Sequence, residues 1–191
     1  MKTMKKVLPL VAFLFVVAAI IMSFFAALKG TSGGTTTTYK GIIWGCKELD
    51  VDGMKVTLKD LMGIESSGIA VLPFIGLILM LLGGLGGLLV ALLAKKPSAK
   101  WILLICGVLV LAGAIMQFFA LQAFLRALIN TSAKEAGVTD KETIEQAYKE
   151  ALENVKKTDP KITLSVIMGI LGCLAGVFNG VAALLPEKNN N

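Results

Sequence analysis

Side chains that could take part in chemistry are scarce in this sequence. Its 191 residues include no histidine and three cysteines, Cys46, Cys106 and Cys173. The cysteines form no CxxC pair, and without histidine there is no zinc-ligand spacing. Cys106 and Cys173 lie inside apolar runs, where a thiol serves as a small hydrophobe. There is no phosphate-cradling GxxxxGK. The carboxylates after residue 139 alternate with lysines at helical spacing, as in Glu145/Lys149 and Glu153/Lys157, and so describe the solvated face of a helix. These residues predict a protein that is not an enzyme and needs no cofactor or metal. The amides expected in the membrane-spanning parts of the apolar runs are Gln117 and Asn179. Amides there serve helix–helix hydrogen bonding more readily than proton transfer, and the runs hold no Asp, Glu or Lys for a relay.

The elements that carry these residues follow from hydropathy. The most apolar stretch, residues 69–94, runs for 26 residues without a charge. At about 1.5 Å per helical residue it is long enough for a hydrocarbon core about 30 Å thick. Three further runs, at about 7–28, 101–129 and 162–185, have similar character. The first has a basic start, Lys2, Lys5 and Lys6, which suits either a secretory signal or a first span. Its apolar run is longer than a signal core, and its Phe24-Phe25-Ala26-Ala27 exit is a poor cleavage site. An uncleaved span is therefore expected. The run at 101–129 exceeds what a bilayer needs, so its far part, with Gln122 and Arg126, should project outward and stop at Gly137. The expected architecture is an all-α membrane protein: a four-helix transmembrane bundle in a single domain, 1–191.

Small residues recur four apart on two of these runs: Gly83, Gly87 and Ala91 on one, and Gly172, Gly176 and Gly180, with Gly169 beside them, on the other. Lipid already solvates Leu and Ile, so close backbone approach at small residues supplies helix-packing contact instead. The two faces are expected to meet each other or a neighbouring subunit, in the manner of a glycine zipper.

Two polar loops, 29–68 and 130–161, complete the chain. The first opens with TSGGTTTT, expected to be flexible. Strand formers around Ile42, Ile43 and Trp44 follow, then Asp52-Gly53 as a hairpin turn and an alternating 54–59 segment. A small antiparallel sheet is expected there. Trp44 suits a headgroup anchor, a sheet core residue or a partner contact. In the second loop Thr139-Asp140-Lys141-Glu142 suggests a capping box with Thr139 as cap. Ile144, Tyr148, Ala151, Leu152 and Val155 then mark one face of an amphipathic helix, suited to cover the sheet, lie on lipid or meet a partner. Asn130-Thr131-Ser132 has the glycosylation pattern but adjoins the span too closely to be a good acceptor.

The chain carries a net charge of +6, and its placement is uneven. The first long loop balances to zero, as does the second once Arg126 just before it is counted, while the N-terminus and the 95–100 turn hold three basic residues each and no acid. Basic short loops face the cytoplasm, so both termini are expected there, with the long loops outside a cell membrane. No basic stripe with interleaved aromatics exists, which speaks against nucleic acid as a partner. The expected partners are the lipid bilayer and either further copies of this chain or another membrane protein.

This outline resembles the claudin-like four-span family, which has a small sheet in its first outer loop and an extended third helix. That family's loop carries a Trp-x-x-Cys…Cys signature. Here Gly41-Ile42-Ile43-Trp44-Gly45-Cys46 is similar in part: Trp44 and Cys46 stand one position too close, and no second loop cysteine exists to form the family's disulfide. The resemblance implies lateral association, a cell-surface or barrier role, and no catalysis. A small oligomeric channel or transporter, and an accessory subunit of a larger membrane complex, fit the same residues.

Overall fold

The computed structural model describes residues 2–25, 27–32, 34–40, 48–51, 54–57, 71–93, 99–158 and 164–185. Six helices occur among them: α1 Lys2–Ser23, α2 Val71–Leu93, α3 Ala99–Phe118, α4 Ala120–Glu135, α5 Lys141–Thr158 and α6 Leu164–Leu184. Four strands lie between α1 and α2: β1 Ala27–Ser32, β2 Thr35–Lys40, β3 Glu48–Val51 and β4 Met54–Thr57. The chain divides into two compact units, one drawn from 1–21, 75–118 and 167–191, the other from 22–74 and 119–166.

The first unit contains most of the long apolar helices. Within α1, α2, α3 and α6, stretches of 20, 23, 20 and 21 residues are long and apolar enough to cross a membrane. Their large side chains point outward in number: Ile78, Leu82, Leu85 and Leu89 on α2 and Ile102, Ile105 and Val108 on α3 are all exposed. In water such surface would be costly; in hydrocarbon it is solvated. The buried interior consists instead of alanines, valines and methionines, with Ala12, Val16, Met80, Val110, Ala114, Met168 and Ala175 fully enclosed. At one end Leu103 packs with Ala182 and Ala183, joined by Leu8, Val90 and Leu104.

The helix limits differ from the expected spans in two places. The first helix stops at Ser23, not Leu28. A turn closes as the Phe25 amide donates to the Met22 carbonyl (3.0 Å), and Ala27 and Leu28 pair in β1 with Lys40 and Tyr39. The run expected at 101–129 is two helices, broken at Phe119, whose φ of −96° and ψ of 3° leave the helical basin. The helices read at 69–94 and 162–185 run Val71–Leu93 and Leu164–Leu184.

In the second unit the four strands pair antiparallel in chain order. The TSGGTTTT tract, expected to be flexible, is instead the hairpin of β1 and β2, with Ser32 opposite Thr35 and Gly34 at φ +86°. β-Branched threonines favour the strand, and Gly34 supplies a positive φ of the kind a tight hairpin turn needs. β2 pairs with β3, and β3 with β4 through Val51 and Met54. The turn residues Asp52 and Gly53 lie outside the described residues, as do Trp44 and Cys46. α5 packs against both β1 and α4, and the ring of Tyr39 meets Phe124 of α4 edge-on at 5.8 Å.

Candidate functional site

Within the first unit, α3 lies against both α2 and α6 through glycines. On the α2 side, a methyl group added to Gly83 would come within 2.6 Å of the Cys106 carbonyl oxygen and 2.7 Å of Val110. One added to Gly76 would lie 2.7 Å from the Gln117 amide nitrogen and 2.8 Å from the Gly113 carbonyl. On the α6 side, one at Gly107 would lie 3.0 Å from the Gly176 carbonyl. One at Gly172 would meet Ala114 and Met80 at 2.7 Å, and one at Gly169 would meet the Phe118 ring at 2.9 Å. These separations place backbone on backbone, the contact that holds helices together in lipid. They also set direction: α3 runs antiparallel to both neighbours.

The two expected glycine faces are therefore not each other's main partner. Gly83 addresses α3; Gly87 addresses the Asn179 side chain of α6, whose amide nitrogen stands 2.8 Å from where a β-carbon would be. Gly172 and Gly176 address α3, with Leu111 also against Gly176. Ala91 is half-buried. At Gly180 a β-carbon would meet nothing within 4 Å. What the sequence reading missed is the surface between them: Cys106, Gly107, Gly113 and Ala114 on α3, two small pairs seven residues apart. That spacing was visible in the sequence, but Leu and Val residues around it masked the pattern. Gly84, where an added β-carbon would stand 3.1 Å from Val16 of α1, was missed likewise. α1 also meets α6 through the stacked rings of Phe15 and Phe178, 5.8 Å apart.

Two amides sit in this interior with no exposed surface, Gln117 beside Gly76 and Asn179 beside Gly87. Neither the Oδ1 nor the Nδ2 of Asn179 has a hydrogen-bond partner among the described residues. Between the two levels lie Met80, Val110 and Ala114, all fully buried.

The second unit has the titratable groups. Arg126 on α4 donates to the Glu145 carboxylate on α5 at 2.7 Å, and its guanidinium lies 5.2 Å from the centre of the Tyr148 ring. A pocket of about 280 Å³ opens beside this cluster, bounded also by Asn130 and Lys141 with Ile129 and Ile144 as apolar walls. Asp140, not Thr139, is the N-cap of α5. Its carboxylate accepts from the Thr143 hydroxyl and from the backbone amides of Thr143 (3.0 Å) and Glu142 (3.4 Å), while its carbonyl accepts from the Ile144 amide (3.2 Å). Chiefly through the Thr143 hydroxyl, these bonds hold the Asp140 carboxyl below the usual carboxylate range. The cap moves one residue from the expected position: the Asp140 carboxylate brings two charged oxygens, one to each of the Glu142 and Thr143 amides, where a threonine hydroxyl would bring a single neutral oxygen. α4 ends as expected at Gly137 (φ +69°), with Val138 donating to Ala133 and Gly137 to Lys134.

Four lipid-compatible helices joined by short or loop connections define a multi-pass membrane protein. No protein-family profile, curated protein or solved structure matches this chain.

Proposed function

We propose that this is a non-enzymatic membrane protein that associates laterally through α6, with a scaffold or cell-surface role of the claudin-like kind. The carrying observation is Gly180. It continues the Gly172/Gly176 spacing, yet among the described residues nothing lies within 4 Å of where its β-carbon would be, and Val177, Val181 and Leu184, its neighbours along the helix, are exposed. A notch of that kind accepts a neighbouring helix at close range. In this reading both termini are cytoplasmic, the β1–β4 strands and α5 form an extracytoplasmic cap, and the seams at Gly83, Gly87, Gly172 and Gly176 act as a glycine zipper. Trp44 and Cys46 are then outer-loop contact residues. The fully buried apolar layer of Met80, Val110 and Ala114 between Gln117 and Asn179 weighs against a solute path through one copy.

Crosslinking in native membranes through a cysteine introduced at Val177 tests the association. Dimers or higher species should form, and Gly180→Leu should abolish them while the purified monomer keeps its thermal stability. A chain that remains monomeric at every expression level would overturn the reading.

A further inference from the structure

The α4–α5 pocket carries an assignment that lateral association does not require. We propose that it binds the phosphate of an anionic phospholipid headgroup, held by Arg126 and Lys141. The lining has two cations and one carboxylate, a net single positive charge, next to an amide and a phenol that hydrogen-bond. Ile129 and Ile144 give it an apolar wall, suited to a glycerol backbone. About 280 Å³ accommodates a headgroup, whereas sites for drug-sized ligands begin near this volume and extend to several times it.

Arg126 is the group best placed to change partners. Its pair with Glu145 is exposed, with 58% and 44% of the two side chains accessible, so water and ions compete with the carboxylate there. Its stacking on Tyr148 keeps the guanidinium in place when the carboxylate is exchanged for a phosphate. A guanidinium presents paired donors that match phosphate oxygens, and an ammonium adds a second point charge. Position along the chain supplies the ligand. Arg126 is the eighth residue after Phe118, where a membrane-crossing helix ends, and headgroup phosphates are the most abundant anions at that boundary.

Native mass spectrometry of the full chain in mild detergent tests this with short-chain phosphatidylglycerol, short-chain phosphatidylcholine and inorganic phosphate as probes. Phosphatidylglycerol should be retained over phosphatidylcholine. Lys141→Gln should lower its retention about tenfold, the loss expected for one charge-assisted contact, as should Arg126→Gln. Lys149→Gln, on the same helix outside the pocket, should leave it unchanged. Lys141 is the decisive position, because its substitution leaves the Arg126–Glu145 bond intact. Displacement of the lipid by inorganic phosphate at equal concentration would keep the site but assign it to free phosphate. Retention unaffected by Lys141→Gln, or lowered equally by Lys149→Gln, would overturn the proposal. A strictly monomeric protein can pass this test, so its outcome is separate from that of the association experiment.

Discussion

Asp140 shows how one side chain sets the start of an element. With its folded pKa lowered, its contribution is complete above the ordinary carboxylate range. That contribution weakens as pH falls through that range and is lost once pH drops below the lowered value. The protection of the Thr143 amide against hydrogen exchange, taken relative to the intrinsic rate at each pH, should therefore be lost only in acid. Asp140→Ala should lose that protection already at neutral pH, and Asp140→Asn should retain most of it.

The seam glycines make a matched pair of experiments. A β-carbon at Gly113 would collide with the Gly76 carbonyl oxygen and come within 2.8 Å of Met80. Backbone cannot yield as a flexible side chain can, so Gly113→Val should cost about 1–3 kcal/mol or more in a detergent unfolding titration. Gly180→Ala meets nothing, and should be neutral or stabilising by up to about 1 kcal/mol through lost chain entropy. Asn179 provides the third case. An amide buried without a partner carries a desolvation cost of about 1–3 kcal/mol, so the nearly isosteric Asn179→Leu should raise the unfolding midpoint. A lowered midpoint would reveal a partner for the amide, such as a bound water.

Among elements, α2 and α6 were legible because length and uninterrupted hydropathy fix a span to within a residue or two. α3 and α4 were not separable by the same means. Phe118, Phe119 and Ala120 are as apolar as their neighbours, and no proline or glycine marks the break; it lies in a backbone rotation at Phe119 that composition does not encode. The end of α1 was misjudged for a related reason. Ala27 and Leu28 suit a helix locally, but their pairing with Lys40 and Tyr39 is non-local. Glycine spacing announced that α2 and α6 pack closely, yet not against which helix. That depended on Gly107 and Gly113 of α3, whose contribution emerges only when three helices are assembled. The Arg126–Glu145 bond was hidden similarly: Lys149 stood at the favourable helical distance from Glu145, while the partner actually used belongs to another helix.

For the molecule as a whole, the uneven placement of charge carries the proposed orientation. Lysines at the N-terminus and in the 95–100 turn would be retained on the cytoplasmic side, leaving both long loops, which carry no excess of basic residues, outside. Reporters fused before Met1 and after Asn191 should report the same compartment. Opposite compartments would remove the even number of crossings on which that orientation rests.

Because α3 is glued on one flank by α2 and on the other by α6, its gutter of Gly107 and Ala114 stays bare until the ribosome has delivered the final helix. A chain halted before Leu164 would show that unfilled gutter to the lipid, offering quality-control machinery a mark that the finished protein conceals.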